Sequence, residues 1–441
     1  MSTTETDYTS NATELASASL NFTLDPKQQE AIASCCDLSN RVVAVTGAAG
    51  SGKTTILQMV YDNLVDAGYN VALISPTGKA AKRIKEVTGI EAMTLHRFLE
   101  YTHPGDPDPK TGRPSGISMP RRHRQNPVEV DIVLADEYAM TAREQHRALF
   151  DALPNAGCVR VFGDNNQLPP IEEDDWKNKD KVKQASPFEE LLNKFPAVVL
   201  DQVHRQGKDS GILLNLQLIL RGRLPTRNDQ WDITFTDSPV DALIEYVLDC
   251  LDNGHSFADI HNQILTTQHK SWIGTGKLNT LLQGMFHNKT DPALMVPRNK
   301  WTNEGAPIPM FVGDKVIVTR NMYDLDVMNG ESGKIIEISG DGELIIDFGD
   351  KEQVIPPLLM VQNRYGNMVE IDPRKDVDLG YVITTHKAQG SEYSRLVYML
   401  NKSTVYMQNR RNFYTATSRG REHVKLITDQ RSLSLSLSKR G

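Results

Sequence analysis

Cysteine is scarce in this chain. Its four copies, Cys35, Cys36, Cys158 and Cys250, form neither a Cys-x-x-Cys pair nor any metal-ligand spacing. A disulfide framework and a zinc ribbon are thereby excluded as organising principles, and reduced thiols in a cytoplasmic setting are expected. Long apolar runs are missing too: none approaches the roughly 20 residues that cross a bilayer as a helix, so no membrane association is expected. Residues 1–22 contain no Lys or Arg, which argues against a secretory signal and predicts a polar, disordered tail. Positive charge is not in excess either. The formal net charge is −7, so a broad basic surface is excluded, though a narrow basic groove is not. The run Arg121-Arg-His-Arg124 shows that cations can be concentrated locally.

What is present is the composition of a soluble globular protein, 39% hydrophobic and 24% charged over 441 residues. That length exceeds a single typical core, and two or three domains are expected. Asp25 before Pro26 marks a helix start, as N-cap and first helical position. Strands at 41–46, 70–75, 130–135 and 158–162 then alternate with helices at 53–66 and 78–87. Such alternation predicts a parallel sheet covered on both faces. Residues 101–127, rich in Pro, Gly and Arg, read as an inserted loop or small hairpin. A second α/β unit is expected from residue 198 to 427. Within it, short alternating runs separated by Gly and Asp-Gly turns predict an inserted β-barrel over about 290–375. The Ser-Leu alternation at 432–438 reads as an edge strand or part of a tail over 428–441.

Residues 47–54 read Gly-Ala-Ala-Gly-Ser-Gly-Lys-Thr between an apolar strand and an amphipathic helix, the setting of a phosphate-binding loop. Glycines 47, 50 and 52 permit the tight turn that aims backbone N–H groups at phosphate oxygens, and the helix N-terminus adds its dipole. Lys53 supplies charge to the β- and γ-phosphates, and Thr54 offers a hydroxyl to Mg²⁺. ATP and Mg²⁺ are therefore the expected cofactors. Gly47, Ala48, Ala49, Gly50, Ser51, Gly52, Lys53, Thr54 and Thr55 form the expected nucleotide cradle. A strand ending in Asp136-Glu137 fits hydrolysis: Asp136 holds the metal's hydration shell, and Glu137 orients or deprotonates the attacking water. Gln167, in Gly163-Asp-Asn-Asn-Gln-Leu-Pro-Pro170, can sense the γ-phosphate through a neutral amide.

Taken in order, these motifs resemble the superfamily 1 helicases of the 5′→3′ RecD-like and Dda-like branch. The match continues through Ser75-Pro-Thr-Gly-Lys-Ala-Ala-Lys-Arg83, Thr94-Leu-His-Arg97, Val203-His-Arg-Gln206, Gly274-Thr-Gly-Lys-Leu-Asn279, Asn329-Gly-Glu-Ser-Gly333, Thr384-Thr-His-Lys-Ala-Gln-Gly-Ser-Glu392 and Tyr414-Thr-Ala-Thr-Ser-Arg419. It departs at Tyr138-Ala-Met140 and at Ser418. The resemblance implies two RecA-like P-loop domains, an SH3-like barrel as the second insertion, and a wedge hairpin at 101–127. It implies that Gln28 reads adenine, Glu392 bonds the ribose, and Arg205 and Arg419 reach the γ-phosphate as arginine fingers. Pro76, Thr77, Thr94, His96, Thr385, His386 and Lys387 would contact DNA phosphates without reading sequence. Phe98 would stack on a base or belong to the core. The implied activity is ATP-driven unwinding by a monomer on single-stranded DNA and fork duplex, with single-strand-binding or replisome proteins as possible partners. A phage or bacterial replication, recombination or repair role is expected. An RNA-directed relative would carry nearly the same motifs. The paired arginines and the Thr-x-His motifs argue against a P-loop switch or loader that does not translocate.

Overall fold

The computed structural model describes residues 24–102, 118–170, 185–202, 210–287, 294–298, 307–362 and 367–439. The chain divides into two units, with the boundary between residues 208 and 209. The first opens with α1 (Pro26–Cys36), whose N-terminus is closed by a capping box. The Asp25 side chain accepts from the Lys27 and Gln28 amides at 2.7 and 3.0 Å, while the Gln28 side chain accepts from the Asp25 amide at 3.2 Å. At its other end, the buried Arg160 guanidinium donates to the carbonyls of Cys35 and Asp37, acceptors that the helix end leaves open, and to that of Asn40 in the turn that follows.

There follow β1 (Val42–Gly47), α2 (Lys53–Asp66), β2 (Val71–Ser75), α3 (Gly78–Thr88), β3 (Met93–Thr94), the short α4 (Leu95–Phe98), β4 (Ile132–Ala135), α5 (Arg143–Ala152), β5 (Cys158–Gly163), α6 (Pro187–Lys194) and β6 (Ala197–Leu200). The six strands are all parallel, in the order β3-β2-β4-β5-β1-β6. Strands β1, β4 and β5 are buried along their whole length, which is why their sequences are apolar runs and not alternations. The loops after β1, β4 and β5, three neighbouring strands, therefore emerge side by side at the carboxyl edge, where open parallel sheets bind ligands.

Strand β6 corrects the expected domain limits. Residues 197–200 do not open the second unit; they pair in parallel with β1, Ala44 opposite Ala197 and Gly47 opposite Leu200. An edge strand with exposed Ala197 and Val199 alternates in sequence like the start of a fresh element, and only its pairing assigns it.

The second unit contains α7 (Gly211–Leu220), β7 (Trp231–Phe235), α8 (Pro239–Asp252), β8 (Asn262–Thr266) and α9 (Thr275–Phe286) before its insertion. The insertion comprises β9 (Leu294–Val296), β10 (Ile308–Met310), β11 (Lys315–Val318), β12 (Ser332–Ile338), β13 (Leu344–Asp347), β14 (Glu352–Ile355), β15 (Leu359–Gln362), β16 (Met368–Ile371) and β17 (Val377–Leu379). Five of these make an antiparallel sheet ordered β14-β13-β12-β11-β17, and β9–β10 and β15–β16 pair separately. The α/β pattern resumes with β18 (Val382–Thr384), β19 (Tyr393–Met399), α10 (Arg410–Thr417), β20 (Gly420–Thr428) and α11 (Gln430–Ser438), giving a parallel sheet ordered β18-β8-β19-β20-β7.

One apolar cluster runs from Leu243 and Val247 of α8 through Leu278 and Leu282 of α9 into Val316, Ile335 and Ile346 of the antiparallel sheet. Buried Asp314 strengthens that junction, accepting from the Tyr381 hydroxyl and the Gln283 amide at 2.7 Å each and from the Phe311 amide at 2.8 Å. The last element is another correction. Residues 430–438 are neither strand nor tail but a helix, capped by Asp429, that buries Leu433 and Leu437. Leucine at every second position satisfies an i, i+4 stripe as well as a two-residue period, and Asp429 as N-cap decides for the helix. Among the described residues no helix is long and apolar enough to cross a membrane.

Candidate nucleotide and nucleic-acid site

The loop between β1 and α2 is held from two sides. A Cβ on Gly47 would fall 2.3 Å from Ser51 Oγ and 2.9 Å from Leu200 Cβ, so the loop folds against β6 only because that side chain is absent. Gly52 has φ +85°, and a Cβ there would meet Gln28 Nε2 at 2.6 Å. Lys53 opens α2, and its Nζ donates to the carbonyls of Gly47 (2.6 Å) and Ala48 (3.1 Å), so the ammonium is folded across the mouth of the loop.

Gln28 is fully buried beside that loop. Its Nε2 donates to the Ser51 carbonyl at 3.3 Å while its Oε1 serves the α1 cap. The expected adenine reader is thus, in this structure, a brace between helix α1 and the phosphate loop, with both ends of its amide engaged by protein.

At the end of β4, Asp136 is buried and its carboxyl is pushed up to about 6. Burial is the largest cause and the Glu137 carboxylate the next, with Lys53 and Arg83 pulling the other way. The Glu137 amide donates to Asp136 Oδ1 at 2.8 Å, and Glu137 itself holds a left-handed backbone, φ 51°. For a non-glycine residue that conformation is strained, and it turns the second carboxylate away from the strand axis. Tyr138 follows, fully buried, its hydroxyl 2.9 Å from His146 Nδ1 on α5 and its ring packed near Phe188. After β5, Asp164 Oδ1 accepts from the Asn166 amide at 2.9 Å and the Gln167 amide donates to the Asp164 carbonyl at 3.1 Å, a turn that presents Gln167.

Several buried polar atoms here lack a protein partner: Ser51 Oγ, Glu137 Oε2, Thr141 Oγ1 and Gln167 Oε1. Orphaned acceptors and hydroxyls along this one sheet edge, with a lysine and a helix N-terminus beside them, fit a hydrated Mg²⁺–triphosphate. Thr54 and Asp136 would hold the metal, and the metal would supply charge neutralisation at the phosphates.

The other expected residues of this unit divide. Thr77 and Thr94 are N-caps, accepting from the Ala80 and Arg97 amides at 3.2 and 3.1 Å. Pro76 precedes the Thr77 cap at the carboxyl end of β2. His96, in α4, lies 4.6 Å from the Tyr101 ring, and burial lowers its pKa. Phe98 is core, clustered with Leu95, Leu99 and Leu149. Arg122 is not free for duplex phosphates: it forks onto Glu100 at 2.8 and 2.9 Å and reaches Glu129 at 3.3 Å. Residues 103–117, the rest of the expected wedge, lie outside the described residues, as does Arg205.

In the second unit, Thr385 follows the carboxyl end of β18. Its amide donates to the Thr266 carbonyl at 3.0 Å, and its hydroxyl is buried without a partner. The His386 pKa is lowered by burial and by His269; the Lys387 pKa is lowered by burial, against the pull of Asp378. Glu392 lies just before the amino end of β19 and is ion-paired with Arg421. Arg419 is buried at the amino end of β20, donating to the Thr415 carbonyl (3.1 Å), Ser418 Oγ (3.1 Å) and the Ser391 carbonyl (3.5 Å). The segment 385–392 therefore runs from the carboxyl edge of this sheet back to its amino edge, joining the expected DNA residues to the expected γ-phosphate residues.

Sequence reasoning did not single out Arg83, Asp164, His146 or Arg421. Only Asp164 had a local signal, the Asp-Asn-Asn turn.

An AAA domain family model matches residues 23–232, and a UvrD-like helicase C-terminal domain model matches residues 379–427. The chain is 30% identical over 386 residues to the ATP-dependent RecD2 DNA helicase of Deinococcus radiodurans, covering 87% of this chain and 46% of that protein. It is 25% identical to the RecBCD enzyme subunit RecD of Mycolicibacterium smegmatis, covering 88% of this chain and 69% of that one. The chain thus spans less than half the length of the Deinococcus relative. Among solved structures, Pif1 helicases share the fold: one at forked duplex DNA has TM-score 0.57 at 19% identity, covering 92% of both chains. Pif1 of Candida albicans has TM-score 0.57 at 18% identity, covering 94% of this chain and 96% of that one. Two parallel sheets in this motif order, an AAA domain model, a UvrD-like helicase C-terminal domain model and a relative at 30% identity agree in their likeness to the RecD-like superfamily 1 helicases.

Proposed function

We propose that this chain is an ATP-driven DNA helicase that moves 5′→3′ on single-stranded DNA and opens fork duplex, working as a cytoplasmic monomer in phage or bacterial replication, recombination or repair. The observation that carries the reading is the carboxyl edge of the first sheet. There Lys53, Asp136, Glu137 and Gln167 project from adjoining loops, with the buried atoms Glu137 Oε2 and Gln167 Oε1 unpartnered. Lys53 exchanges the Gly47 and Ala48 carbonyls for β- and γ-phosphate oxygens, Asp136 and Thr54 position Mg²⁺, and Glu137 takes the proton of the attacking water. Arg205 and Arg419 stabilise charge on the departing γ-phosphate. Gln28 borders the adenine, and Glu392, once released by Arg421, bonds the ribose.

Pro76, Thr77, Thr94, His96, Thr385, His386 and Lys387 hold backbone phosphates, and single-strand-binding or replisome proteins are the expected partners. The antiparallel insertion serves as the SH3-like barrel, and the segment within 101–127 as the wedge. The experiment is ATP hydrolysis by the full chain alone, with single-stranded DNA, and with RNA of the same sequence. Stimulation by DNA well above RNA is expected. Equal stimulation by both overturns the DNA assignment, and no hydrolysis overturns the motor.

A further inference from the structure

A pocket of about 590 Å³ opens on the second unit, lined by residues that none of the helicase motifs includes. It lies on the face of the parallel sheet covered by α8. His423 and Lys425 share the β20 face with Ile427, which packs in the same cluster as Leu243 and Val247 of α8. Arg395, near the start of β19, and His255, between α8 and β8, complete its polar wall, with Tyr246 of α8 opposite.

The wall carries two cations, Lys425 and Arg395, and two carboxylates, Asp232 and Asp249, but they pair unevenly. Lys425 is matched by an ion pair with Asp232 of β7 and sits 5.0 Å over the Tyr246 ring. Asp249 lies at the exposed rim, next to Asn253 Nδ2 at 3.4 Å. Arg395 has no carboxylate within ion-pairing distance among the described residues. Its guanidinium donates instead to His255 Nε2, at 2.8 Å. Accepting there leaves the His255 proton on Nδ1. Tyr246 Oη lies 3.1 Å from His423 Nδ1, and with the hydroxyl donating, His423 carries its proton on Nε2. Burial, Arg395, Lys425 and His255 lower the His423 pKa, against the pull of Asp232. The wall thus offers one guanidinium without an ion-pair partner among the described residues, and N–H donors from separate elements.

Donors spread over β19, β20 and the segment before β8, gathered around that arginine, suit a tetrahedral oxyanion with several acceptor oxygens. We propose that this pocket binds a phosphate group, contributed either by a nucleic-acid backbone or by a free phosphate ligand.

The test uses the full chain with isotope-labelled histidine, titrated with inorganic phosphate while the imidazole resonances are followed. Saturable shifts of His423 and His255 are expected. Arg395→Gln should weaken them about tenfold or more, the worth of a charge-assisted contact, and Arg395→Lys should retain part of the affinity. Thermal unfolding of each variant checks the fold; if the glutamine variant does not fold, the lysine variant carries the comparison. Phosphate taken up at the P-loop would not depend on Arg395, so failure here is distinct from failure of the motor assignment. A single-stranded oligonucleotide and its uncharged methylphosphonate counterpart separate the sources. Competition by the charged strand alone assigns a backbone phosphate, and no competition by either assigns a free ligand. Absent or non-saturating shifts, or shifts unchanged in Arg395→Gln, overturn the proposal.

Discussion

Lys53 places its charge on two backbone carbonyls of its own loop, contacts that water replaces easily. Lys53→Ala should therefore change the unfolding free energy by no more than about the 0.5 kcal/mol of an ordinary surface change, while ATP turnover falls to background; DNA-stimulated hydrolysis near the wild-type rate would remove the P-loop from the mechanism. Arg419 behaves differently because its guanidinium satisfies buried acceptors. Arg419→Ala should lose turnover and also destabilise the second unit by about 1–3 kcal/mol. Nucleotide affinity should change less than the rate, and a variant with normal turnover would remove Arg419 as a finger.

His146 supplies a pH test. Burial depresses its pKa to about 4; Arg143, Arg147 and Lys194 add to that, against the pull of Glu190, and its Nδ1 faces Tyr138 Oη. Because the unfolded chain binds this proton near pH 6.5 and the folded chain does not, stability is lost as pH falls from about 6.5 to about 4. His146→Asn should flatten that part of the melting-temperature profile, by on the order of 1–2 kcal/mol after solvent screening; an unchanged slope would place the titration elsewhere. Residues of this kind were illegible in the sequence, since nothing in Tyr138 or His146 alone says that two elements eight residues apart meet beneath the carboxylate pair.

At the scale of elements, legibility followed burial. Strands buried on both faces announce themselves as apolar runs, and the expected helix at 53–66 coincides with α2 (Lys53–Asp66). The failures are at edges. Strand β6 has one face exposed, and α11 is a short helix whose Ser-Leu repeat fits two periods at once. Its leucines nevertheless carry weight: Leu433→Ala and Leu437→Ala should each cost about 2–5 kcal/mol by opening a cavity, measurable by urea unfolding. The insertion within 101–127 is an element-scale question as well. Its base is fixed by the Thr102 amide donating to the Met119 carbonyl at 2.8 Å and by the Arg122 fork on Glu100. A Gly-Ser linker replacing residues 103–117 should therefore close on an intact base. DNA-stimulated ATP hydrolysis and displacement of a protein block from single-stranded DNA should persist, while unwinding of a 5′-tailed duplex collapses. Equal loss of both would make the segment structural, and unchanged unwinding would place strand separation elsewhere.

For the whole molecule, a net charge of −7 constrains how the proposed DNA substrate would be held. A chain repelled by polyphosphate overall gains affinity only where local cations displace counterions, so non-specific duplex binding should be weak and single-strand binding salt-sensitive. Each phosphate neutralised on a single strand contributes about 0.7 to the slope of log affinity against log salt. The ammonium among the expected contacts, Lys387, is largely buried, and that burial pulls its pKa down while Asp378 pulls it up. A phosphate beside it would favour the charged form and push the pKa back up. Lys387→Ala should therefore reduce the salt slope by about 0.7 and weaken binding by the same factor for every sequence tested. The measurement is oligonucleotide affinity across a salt series at two pH values, on the wild type and the variant. A slope unchanged by the substitution would show that Lys387 serves the fold alone, and an affinity flat in salt would rule out a phosphate-tracking groove altogether.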